Sequence, residues 1–268
     1  MLSPDQRDEF ERTGLLRLSG VIPVAEANAM ADRIWSFLSR QSGVDRNDPA
    51  TWSTTRPTGF QPVSRAGELD GVRSAVVCAA IHDLIGTSEV HWERPRVLMT
   101  FPDADLPWTV PSGGWHFDYV PRHVEPGLRA IQVFVVLDEV LPQGGATLVL
   151  AGSHRLVGRY VADTGREPRP RLVRSHLAAM DPWLGELWGD PGSTAATGAD
   201  RDKRLFDGAV VDDVPLWVVE ATGSAGDVYL MHSDCFHAVA ANARSAPRIM
   251  ATSVVTRLTQ RAGNPSPI

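Results

Sequence analysis

From residue 95 onward the chain is a succession of β-rich segments: RVLMTF, RAIQVFVVLDEV, GATLVLAGS, LWVVEA, DVYLMH and RIMATSVVTRL, set apart by Gly, Pro, Asn and Asp. Branched and aromatic residues in short runs between turn formers read as strands. Before residue 95 the apolar period is helical instead. Helical leaders followed by a run of strands predict an α+β chain, mainly β, whose sheet is closed or double-layered. With 268 residues, 43% of them hydrophobic, the chain can build such a core. No linker or internal repeat divides it, so a single domain over 1–268 is expected.

The helical leaders carry their own punctuation. Ser3-Pro4-Asp5-Gln6 places an N-cap serine, a proline at the first helical position and a glutamine at the third, a capping box, with Gly14 as the stop. LLRLSGVI reads as a short strand. PVAEANAMADRIWSFLSRQSG carries Val24, Ala27, Ala31, Ile34 and Leu38 along one stripe, an amphipathic helix ending at Gly43. Asp70 is expected to cap a further helix, with Val72, Val76, Ala79 and Leu84 inward and Gly86 past its end. Later the strand pattern breaks at 155–215. This insert contains RLVRSHLAAMDPWLGELW, read as one helix, and GSTAATGADRD, small and polar enough to be mobile. So long an interruption between two strands exceeds what a connection needs and predicts a cover, or lid, over a site.

Several classes are set aside. The longest apolar runs, such as SAVVCAAI and IQVFVVL, are far too short to span a bilayer. MLSPDQRDEFERTG lacks the basic start and apolar segment of a signal peptide, so a cytoplasmic location without a membrane partner is expected. Two cysteines, Cys78 and Cys235, at no CxxC spacing, offer neither a disulfide framework nor a thiolate zinc site. A metal would need His and carboxylates, which suits iron, manganese or zinc. A net charge of -6 without a basic run argues against nucleic acid. The eight tryptophans are ascribed chiefly to core packing. Nothing in the sequence bears on oligomeric state.

The segment GGWHFDYV, residues 113–120, places His116 and Asp118 two apart, so that on a strand both point to one face. A carboxylate among aromatic residues needs a cation or a donor. A divalent metal would serve, and so would a buried hydrogen bond. Three His-x-acid pairs occur, the others being His91-Trp92-Glu93 and His232-Ser233-Asp234, and these two are read as structural or incidental. A mononuclear oxygenase site needs two imidazoles and one carboxylate, so a distant histidine is required. His237 follows downstream, and Arg248 stands eleven residues beyond it at the start of a strand. A buried arginine there suits the distal carboxylate of a bound diacid through two parallel hydrogen bonds.

WHFD, then LDEVLPQGGATLVLAGSH, then GDVYLMH…H…N…R resemble the phytanoyl-CoA dioxygenase family of iron(II)- and 2-oxoglutarate-dependent oxygenases. The resemblance covers nearly the whole chain, the leading DEFERTGLLRLSGVI included. It implies a double-stranded β-helix, or jelly roll, with iron(II) held by His116, Asp118 and His237 and the C5 carboxylate of 2-oxoglutarate on Arg248. Ala151 departs from the family's proline before Gly-Ser-His, a change of turn that touches no ligand. The implied reaction consumes O2 and 2-oxoglutarate, releases succinate and CO2, and oxidises an unactivated C–H of a small-molecule substrate. Family members that halogenate carry a small residue in place of Asp118, so hydroxylation is expected here, with desaturation or ring closure open to the same ligands.

Other residues take expected roles beside that set. Gln132 and Phe134 share a strand face that strand alternation can aim at the cosubstrate, Gln132 as a cosubstrate contact. Trp108, Trp115, Tyr119 and Phe134 are read as substrate-pocket residues. His154 is expected to fix a turn and Cys235 to be a small buried hydrophobe, while His232, five residues before His237, is read as structural, with a hydrogen bond near the site as the alternative. Without a basic run for the phosphates of CoA, the substrate is expected to be small and largely apolar. Two other readings stand beside this one. A metal-dependent isomerase or hydrolase on a jelly roll would leave Arg248 unexplained. A non-catalytic binding protein on the same scaffold would leave the intact ligand set unexplained.

Overall fold

Ser3 and Gln6 bond reciprocally at the start of helix α1 (Pro4–Thr13), which is the expected capping box. The computed structural model describes residues 1–52, 56–103, 108–118, 128–189 and 198–258. Gly14 ends α1 at φ +70°, where a Cβ would meet Cys235 Sγ at 2.4 Å and His154 Nδ1 at 2.5 Å. Only glycine permits this close turn into strand β1 (Leu15–Leu18). Helix α2 (Val24–Ser42) ends at Gly43 and buries Ala27, Ala31, Ile34 and Leu38 as expected, with Met30 and Trp35 added. Val24 is 56% exposed, because the helix begins there, before its stripe reaches the core.

The next helices differ from expectation. After α3 (Gln61–Arg65), Asp70 opens a 3-10 turn to Arg73, and Ser74 caps α4 (Ala75–Ile85) by accepting from Val77 N at 3.3 Å. The buried face is Val77, Ala80, Ile81 and Ile85, whereas Val76 and Ala79 are exposed and Leu84 half-buried. AVVCAAI offers an apolar residue in every helical phase, so with the cap placed too early the stripe slipped. Val72 is buried, but from the turn, and Gly86 closes the helix as expected.

The strands are β2 (Val90–Trp92), β3 (Arg96–Thr100), β4 (Ala130–Val136), β5 (Thr147–Ala151) and β6 (Ala209–Val211), followed by β7 (Val214–Glu220), β8 (Val228–His232), β9 (His237–Val239) and β10 (Arg248–Arg257). They form two antiparallel sheets in a jelly roll. The larger has the order β1-β8-β4-β10-β2, with β3 also paired to β10; the smaller is β6-β7-β5-β9. Three of these strands, β2, β6 and β9, are three residues long and too short to show a period of two in sequence.

Strand alternation sorts the core into layers. Ile131, Val133 and Val135 of β4 pack outward beneath α2 and α4. Phe134 and Val136 face the smaller sheet and meet Val149 and Ala221. Every residue of β4 and β5 is buried, which is why they read as unbroken apolar runs.

Helices α5 (Ser153–Thr164), α6 (Pro170–Met180), α7 (Pro182–Trp188) and α8 (Ala199–Asp207) cover the outer face of the smaller sheet over Leu148, Leu150, Leu216 and Val218. The single helix expected at 171–188 is two. Asp181 is extended ahead of Pro182, ends α6, and caps α7 by accepting from Trp183 N at 2.8 Å. Among the described residues no helix is long and apolar enough to cross a membrane.

Candidate metal centre

His116 and His237 oppose each other across an isolated antiparallel bridge at the edge of the smaller sheet. Each backbone N–H donates to the other's carbonyl, His116 to His237 at 3.0 Å and His237 to His116 at 2.7 Å. Residues so paired send their side chains off the same face as neighbours. The ring centroids are 4.3 Å apart. Asp118, two residues on, takes that face too, and one ligand atom from each of the three lies within 4.8 Å of the others. Trp115 and Phe117 alternate to the opposite face and are buried with Phe236 against the insert helices.

The backbone also sets the imidazole tautomers. Gly114, at φ +79°, turns its carbonyl to accept from His116 Nδ1 at 2.8 Å. His237 Nδ1 donates to the Cys235 carbonyl at 3.1 Å. A carbonyl only accepts, so each Nδ1 carries a proton and each Nε2 is the ring atom left to meet a metal. Burial first, then the His116 imidazole, pushes the His237 pKa down to about 4, which keeps the ring neutral. Asp118 Oδ2 is buried without a hydrogen-bond partner. A carboxylate so placed is unfavourable until a cation meets it. Two imidazoles and a carboxylate, with coordination positions left over, are the donor set that suits non-haem iron(II).

Arg248 opens β10 and is 2% exposed. Its Nη2 donates to Thr100 Oγ1 at 2.9 Å, Nη1 reaches only Met250 Sδ at 3.7 Å, and Nε has no partner. Among the described residues no carboxylate pairs with it. Burial, then the Arg56 guanidinium, pulls its pKa down to about 9, still high enough to leave it charged near neutral pH. Asn242 holds this corner, donating from Nδ2 to the Thr100 carbonyl at 3.2 Å and the Ala246 carbonyl at 2.8 Å.

Gln132 is buried on the inner face, donating from Nε2 to Thr252 Oγ1 at 3.2 Å while its Oε1 has no partner. Thr147 Oγ1, facing inward from β5, also has none. Seven buried side-chain polar atoms lack partners among the described residues. Three are tryptophan Nε1 groups and the other four belong to Asp118, Gln132, Thr147 and Arg248, all facing the space between the sheets. Sequence reasoning passed over Thr100 and Thr147, because threonine in a strand reads as a β-former.

The remaining expected site residues scatter. Phe134 meets His237 edge-on at 6.3 Å between centroids. Trp115 faces away from the triad into the core, its Nε1 donating to the Pro111 carbonyl at 2.7 Å. Trp108 stacks on Phe206 at 6.1 Å within the insert cluster. Tyr119 lies outside the described residues. His232 sits on the outer face of β8, 4.9 Å from the His154 ring and away from the triad. His154 reaches the Glu11 carbonyl at 3.1 Å and ties α5 to α1; burial, then His232, pushes its pKa to about 4. Burial pushes the Cys235 thiol up to about 12, in keeping with an inert buried side chain.

GSTAATGADRD, expected to be mobile, falls partly outside the described residues, but its end is fixed. Asp202 accepts from Val110 N and from Thr109 Oγ1, both at 2.9 Å. Arg201 donates to the carbonyls of Val110 at 2.6 Å and Leu187 at 3.1 Å. Helix α8 thereby clamps the segment that leads into His116.

Three comparisons bear on this geometry. The family model described as Phytanoyl-CoA dioxygenase (PhyH) matches residues 10–250. Ectoine dioxygenase of Bordetella bronchiseptica is 24% identical over 226 residues, spanning 77% of this chain and 68% of that protein. Among solved structures, EctD from S. alaskensis with bound Fe aligns with a TM-score of 0.57 at 20% identity, over 95% of this chain and 76% of its own. The epimerase SnoN from nogalamycin biosynthesis, in complex with Fe3+, alpha ketoglutarate and nogalamycin RO, aligns with a TM-score of 0.53 at 18% identity, over 94% and 82%. At these identities the two structures show a shared fold.

Proposed function

Because the chain belongs to the phytanoyl-CoA dioxygenase family, whose members are iron(II)- and 2-oxoglutarate-dependent oxygenases, we propose that it hydroxylates a C–H bond of a small molecule with His116, Asp118 and His237 as the iron ligands. The observation that carries this reading is Arg248, a buried guanidinium with an unpartnered Nε and no carboxylate beside it among the described residues. A buried cation of this kind calls for an anion. The distal carboxylate of 2-oxoglutarate fits it, through parallel charge-assisted hydrogen bonds that the planar fork offers. Bound iron(II) supplies the activation of O2, coupled to conversion of 2-oxoglutarate to succinate and CO2.

The chain's own residues do the rest. The two Nδ1–carbonyl bonds hold both imidazoles with Nε2 turned to one point. Asp118 contributes the anionic ligand, and keeping a carboxylate at that position favours hydroxylation over halide transfer. Phe134 and the apolar inter-sheet residues exclude water from the reacting centre. Gln132 Oε1 and Thr147 Oγ1 are free to accept from substrate or cosubstrate. The working unit is a single cytoplasmic domain with the 155–215 insert as one wall.

An isomerase reading shares this site, since SnoN is an alpha ketoglutarate dependent epimerase of similar fold. Product mass separates the two, because hydroxylation adds one oxygen atom and epimerisation none. The residue assignment is tested without oxygen. Iron(II)-loaded protein should bind one iron per chain and show a weak visible metal-to-ligand band when 2-oxoglutarate is added. His116→Ala and His237→Ala should lose both. A band lost in His232→Ala and kept in His237→Ala would show the distal ligand to be misassigned.

A further inference from the structure

A cavity of about 860 Å³ is lined by none of the residues of the metal centre. It opens between α3 and the edge strands β2 and β3, and four arginines line it: Arg65, Arg73, Arg94 and Arg96. Against them stands one carboxylate, Glu93. None of the four makes an ion pair with a described residue. Arg73 lies over the Trp92 ring at 5.6 Å and touches the Glu93 carbonyl at 3.5 Å, which leaves most of its donors unused.

Such a concentration of like charge is locally unfavourable until an anion meets it. Arg65 and Arg73 each end a short helical turn, where a cation complements the free carbonyls. Arg94 and Arg96 have no such role. They are presented by a rigid link, because Glu93 N donates to the Val254 carbonyl at 2.9 Å and Ser253 Oγ donates to the Glu93 carbonyl at 2.7 Å. Arg96 pairs in register with Thr252, and Thr100 with Arg248. Four residues of strand, about 14 Å, thus separate the cavity's inner edge from the proposed 2-oxoglutarate arginine.

We infer that this cavity is a second anion site, one that takes the phosphate or pyrophosphate group of a small-molecule ligand. Several guanidiniums converging from different elements match the many acceptor oxygens of such a group better than a single carboxylate. The indole face of Trp92 adds a flat apolar surface for whatever the phosphate is attached to.

The test is calorimetric titration of inorganic pyrophosphate into the metal-free full chain, in low-salt buffer and again at raised salt. Saturable binding of one pyrophosphate per chain is expected, weakening as salt rises. Arg94→Ala and Arg65→Ala should each weaken it roughly tenfold or more. Arg248→Ala and the surface variant Arg166→Ala should leave it unchanged. Arg65, Arg94 and Arg166 are exposed, so those variants should fold, and near-wild-type melting temperatures check that for all four. No saturable binding in the wild type would overturn the inference. So would binding lost in Arg248→Ala but kept in Arg65→Ala and Arg94→Ala, which would place the anion at the 2-oxoglutarate arginine instead. Neither result depends on turnover, so the oxygenase reading stands or falls separately.

Discussion

Replacing Arg248 by alanine removes, among the described residues, the one buried guanidinium that faces the space between the sheets without an anion. In the protein without cosubstrate the change should be mild, since it removes packing but also an uncompensated buried charge. With 2-oxoglutarate bound the balance reverses. The distal carboxylate would be left in the same dry corner without its paired guanidinium, with the Thr100 hydroxyl and the neighbouring Arg56 charge as the described groups left to meet it. Breaking a buried pair by deleting one partner costs about 3–5 kcal/mol, or roughly two to three and a half decades in affinity. Iron binding should persist, because His116, Asp118 and His237 are untouched. Arg248→Lys keeps the charge and loses the planar fork, so it should fall between. Anaerobic titration of 2-oxoglutarate into the iron(II)-loaded variants, followed by the visible band, reads these affinities directly. An unchanged dissociation constant in Arg248→Ala would refute the reasoning and bring the hydrolase or isomerase reading forward.

Asp118→Ala should lose hydroxylation and weaken iron binding, yet leave the metal-free protein as stable as the wild type or more so, because Oδ2 is buried without a partner. Melting curves with and without iron check both halves, and a metal-induced rise in Tm equal to the wild type's would show that Asp118 does not ligate. Asp202→Ala removes the acceptor shared by Val110 N and Thr109 Oγ1 and strands Arg201 beside it, so a loss of about 3–5 kcal/mol is expected by denaturant unfolding. Iron affinity should fall with it, since the same clamp leads into His116; unaltered stability would show that α8 does not fix that segment.

Much of the site was legible because its signals are local. His116 and Asp118 share a face through the simple alternation of an extended segment, and the glycines before them permit the turn that aims a carbonyl at His116 Nδ1. The capping box at Ser3 and the stops at Gly14, Gly43 and Gly86 were legible for the same reason. What failed depended on partners distant in sequence. The phase of α4 slipped because an all-apolar stretch holds no polar residue to mark the solvent side. Asp202 and Arg201 sit in a polar, small-residue stretch that reads as loose, and only the fold brings them to residues 109 and 110. The four arginines are likewise spread from 65 to 96, so no basic run announced the cavity they share. The expectation of a largely apolar substrate rested on that missing run.

The central claim is that the converging His116, Asp118 and His237 drive oxidation at the expense of 2-oxoglutarate. It is tested most directly by measuring succinate formed from 2-oxoglutarate under air, with added iron(II) and ascorbate, in the wild type and in His237→Ala. The wild type should release succinate in an iron-dependent manner, faster when a true substrate is present, and His237→Ala should release none above the protein-free background. Wild-type protein that binds iron yet yields no succinate with any candidate substrate, or a His237→Ala variant that yields as much as the wild type, would contradict the account.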